Sequence, residues 1–192
     1  MANKNPFETI RLNAAGQEKS YQWYRQQIGN MGKFATANQT LRDTPMVSSI
    51  TPGEMYLFYY DPKHKDELAY YDRLPLVLPF RKVPGGFYGI NLHYLPYLMR
   101  FRILEKLSDY SVNNSGDTRI RLSWNLLNST SKLQPAKFAV KHYLNAHVKT
   151  RFYRIQSDDW ITASQLPIEK FVGAQKTKVW QDANKEAYYK GT

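Results

Sequence analysis

Short runs along this chain alternate apolar and polar residues with a period of two, and longer runs repeat with the period of a helix. From about Gln17 to Ile28, Tyr21, Tyr24 and Ile28 recur at i, i+3 and i+7, which predicts a helix with one apolar stripe. Gly29 and Gly32 follow as stop signals. The rest of residues 1–50 is polar and mixed, and is read as an arm with one helix that reaches a neighbour. "EMYLFYYD" is a strand with Met55, Leu57 and Tyr59 on one face and Tyr56, Phe58 and Tyr60 on the other. Both faces are apolar or aromatic, so both should be covered.

"LPLVLPF" is a second strand. Pro75 and Pro79 cannot donate to a ladder, so it should lie at an edge or be bulged. Pro84-Gly85 fits the centre of a type II turn. In the third strand, "FYGINLHY", Phe87, Gly89, Asn91 and His93 share the more polar face, and Tyr88, Ile90, Leu92 and Tyr94 the core face. Residues 97–113 read as a helix with a stripe of Leu98, Phe101, Leu104 or Glu105, and Leu107, and with Arg100, Arg102 and Lys106 on its other sides. "TRIRLSWNLL" is a strand with a basic face or the start of a helix. "QPAKFAVKHYLNAHV" is a helix opened by Pro135, with Phe138, Tyr143 or His142, and Ala146 on its apolar side. "KTRFYRI" is a strand, and a helix opened by Pro167 precedes a polar tail. The organisation expected is an arm (1–50), one domain with mixed elements (51–182) and a tail (183–192).

Composition narrows the class. A hydrophobic content of 42% in 192 residues supports a folded core. The 15 tyrosines, each with an apolar ring and a polar tip, suit half-buried surfaces and interfaces. With no cysteine there is no disulfide, thiolate metal site or cysteine nucleophile. The first residues lack a signal-peptide core, and no apolar run approaches the ~20 residues that span a bilayer, so a soluble protein made in the cytoplasm is expected.

The net charge of +11 is unevenly placed. Residues 81–156 hold 13 basic and 3 acidic groups, whereas residues 1–80 hold 9 and 8, and residues 157–192 hold 5 and 5. An anionic partner for the middle of the chain, double-stranded DNA or an acidic protein surface, follows from that. Arg100, Arg102, Arg119, Arg121, Lys141, Lys149, Arg151 and Arg154 are the candidate contacts, with Trp124 and Tyr153 interleaved as in surfaces that track a nucleic-acid backbone.

Catalytic patterns are absent. The four histidines form no HExxH, and no nucleophile elbow, phosphate loop or dinucleotide fingerprint occurs. No metal, cofactor or enzymatic activity is expected. Asp72-Arg73 reads as a structural ion pair or turn cap, His93 beside Asn91 as a semi-buried histidine, and Gly85, Gly86 and Gly89 as turn and close-packing glycines. A metal-dependent nuclease using Asp61, Asp72 and His93 is the enzymatic alternative.

The stretches "GEMYLFYYDPKHKDELAYYDRLPLVLPF" and "GGFYGINLHYLPYLMR", with "AVKHYLNAHVKTRFYRI", "LPIEKF" and "KTKVWQD" downstream, resemble small virion structural proteins of T-even-like and related contractile-tailed bacteriophages. Some of that group are described as DNA end protectors. The resemblance spans about Gly53 to Asp182 and offers no catalytic residue. It implies that Asp72, Arg73, Gly85, Gly86, Gly89, Asn91 and His93 are scaffold. The expected fold is α+β: a small, strongly bent antiparallel β-barrel, Src-homology-3-like, with packed helices and an N-terminal helical arm. The expected function is a non-enzymatic virion part, assembled in several copies with other virion proteins in the neck, tail or baseplate. The alternative is a protein acting on packaged DNA or its ends through the basic middle.

Overall fold

The computed structural model describes residues 5–111 and 134–189. Helix α1 (Pro6–Ala14) starts where the Asn5 side chain accepts a bond from the Phe7 N–H at 2.9 Å and Pro6 supplies a helical φ. Helix α2 (Tyr21–Met31) is capped by Ser20 and closed by Gly32 at φ +53°. Helix α3 (Ala37–Arg42) is capped by Thr36. Residues 5–50, expected to hold one helix, thus hold three. They place Phe7, Ile10, Tyr24, Ile28, Ala37 and Leu41 in the same core as the sheet. The Tyr21, Tyr24, Ile28 stripe packs inward as its spacing requires.

Six strands form one antiparallel sheet: β1 (Met46–Val47), β2 (Met55–Leu57), β4 (Leu76–Val83), β5 (Gly86–Asn91), β6 (Val140–Leu144) and β7 (Phe152–Ile155), in the order β1-β7-β2-β4-β5-β6. A second, two-stranded ribbon pairs β3 (Tyr71–Asp72) with β8 (Phe171–Val172). Helix α4 (Tyr97–Ser111) follows the hairpin. Helices α5 (Gln134–Ala139), α6 (Trp160–Gln165) and α7 (Lys176–Tyr189) complete the described chain, and among the described residues no helix is long and apolar enough to cross a membrane.

Both faces of the sheet are buried, as the two apolar faces of β2 demand. Met55, Leu57, Leu76, Leu78 and Ile90 face the helices. Tyr56, Phe58, Tyr60, Val77, Phe87, Tyr143 and Phe152 form a separate aromatic core on the opposite side. Phe58 sits at its centre, with ring centroids 5.2 Å from both Tyr143 and Phe152 in edge-on contacts. The face of β5 expected to be polar is therefore buried through Phe87 and Asn91.

The sheet bends strongly without closing, which corrects the barrel expectation. Among the described residues β1 and β6 each have a single partner strand, so no backbone ladder joins the two ends. A single backbone bridge, Tyr60 opposite Val148, and side chains tie the chain after β2 to β6 and the segment that follows it. The Tyr60 and Tyr143 rings lie 5.0 Å apart, and the Leu144 N–H donates to the Tyr60 hydroxyl at 3.2 Å. Curvature comes from a bulge between Pro79 and Arg81 in β4, an interior strand. Opposite it, Gly89 has no room for a Cβ, which would strike Val77. At the hairpin tip Gly85 takes φ +76°, the value the Pro84-Gly85 turn requires.

Two elements differ from their sequence patterns. The stretch 135–147 is a short helix followed by β6, because pairing with β5 outweighs the helical period of its apolar residues. Pro167 lies in the connection between α6 and β8 and opens no helix. "TRIRLSWNLL", with Arg119, Arg121 and Trp124, lies outside the described residues.

Candidate nucleic-acid interface

The polar residues around the hairpin converge inside the protein. Asp72 is 3% exposed, and its Oδ1 accepts from the Leu74 N–H at 3.0 Å, the turn cap its strand-entry position suggests. The other oxygen, Oδ2, lies 2.7 Å from His93 Nδ1 and accepts from Asn91 Nδ2 at 3.3 Å. A carboxylate only accepts, so Nδ1 carries the proton in this bond. His93 sits on a tight turn just after β5 and is fully buried. Arg73 is exposed, and its ion-pair role passes to His93. The Asp-His pair resembles catalytic hardware but no substrate can reach it. Asp61 pairs with Lys65 at 3.1 Å on the surface, whereas Asp72 and His93 are buried. Among the described residues no group of three or more His, Cys, Asp or Glu could hold a metal ion.

Arg100 continues the network and corrects its assignment as a surface contact. It has no exposure at all. Its guanidinium donates to the carbonyls of Leu95 (2.7 Å), Ser164 (2.9 Å) and His93 (3.1 Å), and pairs with Glu169 at 2.8 Å. The Tyr97 and Trp180 rings lie 4.6 and 5.4 Å from it. Burial alone would raise the Glu169 carboxyl, but Arg100, His93 and Lys176 hold it down at about 2. Five elements, the β3 entry, the turn after β5, α4, α6 and α7, are tied together by this one chain of charge.

The other basic candidates separate by environment. Lys141 is half-buried, with its ammonium 4.2 Å from the Tyr94 ring centroid, and burial lowers its pKa to about 8. Arg154 is half-buried against Glu54. Arg102, Lys149 and Arg151 are exposed, on α4 and on the connection leading into β7.

A different set does cluster. Cross-strand register places Arg81 opposite Tyr88, and Tyr88 opposite His142. The Arg81 guanidinium lies 4.6 Å from the Tyr88 ring centroid. The Tyr88 and His142 rings stack at 4.6 Å with 13° between their planes. Arg81, its neighbour Lys82 and His142 are exposed, and Tyr88 is half-buried. Cation, aromatic ring and imidazole thus form one row across β4, β5 and β6 near the hairpin tip. Phosphate oxygens suit the cations, and bases suit the ring faces. Sequence reasoning misses this row. Counting back from the Pro84-Gly85 turn pairs Arg81 with Tyr88, since the bulge lies beyond Arg81, but the helical spacing around His142 hides its place on a strand.

An α+β protein with a curved open sheet, a buried charge network and a basic-aromatic surface row is the class these features define. The family model of the Phage T4 terminal DNA protecting protein matches residues 8–185, and the chain belongs to that family. No curated protein and no solved structure gives a significant match.

Proposed function

We propose that this protein binds the ends of linear double-stranded DNA of a phage particle and shields them by occupancy, without chemistry. The observation that carries this reading is the family match over residues 8–185, on a chain whose exposed row of Arg81, Tyr88 and His142 offers both charge and ring faces. Arg81 and Lys82 neutralise phosphates, with exposed Arg102, Lys149 and Arg151, and Arg119 and Arg121 of the same basic region, as further contacts. The Asp72–His93 pair and Arg100 act as scaffold, since they are sealed from solvent. The protein travels with the virion.

The test is protection of a linear duplex from a processive exonuclease by the purified protein, across a salt series. Protection that fades with rising salt, with a binding slope of about −0.9 per phosphate contacted, is expected. Degradation at an unchanged rate under saturating protein would sink the proposal.

A second reading has copies of the protein docked on other virion proteins in the neck, tail or baseplate. Leu12 at 60% and Phe34 at 52% exposure favour it, since large apolar side chains left in water suit a partner. Co-sedimentation with particles stripped of DNA would separate it from the first.

A further inference from the structure

Resting on the DNA-end reading, we infer that the exposed imidazole of His142 stacks on the terminal base pair of the duplex, so that the protein distinguishes an end from continuous DNA by the one ring face that only an end exposes. In the interior of a duplex every base pair is covered above and below by its neighbours. At the terminus one face is bare.

The row across the sheet is built to continue onto such a face. Arg81 lies on β4 and His142 on β6, and these strands flank β5, so the two side chains cover opposite faces of Tyr88. The stack therefore runs along the direction in which strands follow one another, about 4.8 Å apart. His142 is the last member. Among the described residues no strand pairs with the outer edge of β6, and the side chain is exposed. Its inner face is taken by Tyr88 at 4.6 Å, which leaves the outer face as the free end of the row. Gly86 lies beside the ring: a Cβ there would strike the Tyr143 carbonyl at 2.1 Å and come within 3.2 Å of His142 Nε2. The cation of the row sits two strands away, on Arg81, where it meets a phosphate flanking the capped terminus, with Lys82 exposed beside it on the other face of β4.

The experiment compares two DNAs of one sequence: a hairpin duplex with a single blunt end, and a dumbbell closed at both ends. Binding of the full chain is followed by fluorescence anisotropy, with thermal unfolding of each variant beside it. Wild type is expected to prefer the open-ended hairpin by about tenfold, the scale of one aromatic–base stack. His142→Ala should bring the two affinities to parity, with the melting temperature unchanged. His142→Trp, which keeps a flat ring, should restore the preference. Arg81→Ala/Lys82→Ala should weaken both DNAs alike. If wild type prefers the end and His142→Ala keeps that preference, the stacking inference falls and the DNA-end reading stands. If wild type shows no preference for an end, both fall. Equal competition by a single-stranded oligonucleotide of the same sequence would overturn the terminal pair as the target.

Discussion

Two clusters in this protein use the same side chains to opposite ends. The interior one joins Asp72, His93, Arg100 and Glu169 and lines up arginine beside Tyr97 and Trp180. The surface one joins Arg81, Tyr88 and His142. Each holds a histidine, an arginine and aromatic rings. In the first, the guanidinium directs its donors to carbonyls and a carboxylate inside the protein. In the second, no carboxylate pairs with Arg81 or Lys82 among the described residues, and the cations face water. Charge that is matched and dry holds elements together, whereas charge that is unmatched and wet is available to an anion.

Breaking the interior cluster should have the largest effect. Arg100→Ala leaves Glu169 buried with Lys176 at 3.6 Å and the Tyr97 hydroxyl at 3.4 Å, takes a donor from three carbonyls, and should cost about 3–5 kcal/mol in denaturant unfolding. A loss within the range of an ordinary surface substitution would refute the structural role. Acid should act on the same cluster. The Glu169 carboxyl is held at about 2, below its ordinary 4.5, so it contributes stability that is present above about pH 4.5 and lost as the pH falls toward 2. Across that window the contribution is about 3 kcal/mol, and Glu169→Gln should flatten this limb of a stability–pH curve.

Smaller effects follow at the turn. Asp72→Ala removes the acceptor for His93, Asn91 and the Leu74 N–H, and should destabilise by about 2–3 kcal/mol through the unsatisfied donors it leaves. Thermal melts of the variant would check this. The surface row sharpens the contrast from the other side. Arg81→Ala/Lys82→Ala should change stability by no more than about 0.5 kcal/mol, yet reduce the slope of log affinity against log salt by about 0.9 for each phosphate no longer neutralised. An unchanged slope would remove these two residues from the interface.

Much of the hairpin is legible in the chain. The Pro84-Gly85 turn, the bulge forced by Pro79, the two apolar faces of β2 and the turn-capping role of Asp72 each follow from local rules about φ, missing donors and side-chain period. Local rules fail at β6, where a helical spacing is overridden by an available strand edge. They fail again at Arg100, where spacing along α4 puts a charge on the outer side that the fold turns inward.

By itself the sequence determined an apolar core on both faces of a tyrosine-rich strand, a strongly basic middle and the absence of cysteine chemistry. It also carried the likeness to phage virion proteins that the family match narrows to one family. Only the tertiary structure decided which of the basic residues hold the fold and which are left for a partner. The reason is physical. A residue's charge is a property of the chain, but whether that charge is neutralised depends on which strands and helices bring a carboxylate, a carbonyl or water to it. Those neighbours lie tens of residues away: Glu169 from Arg100, His142 from Tyr88.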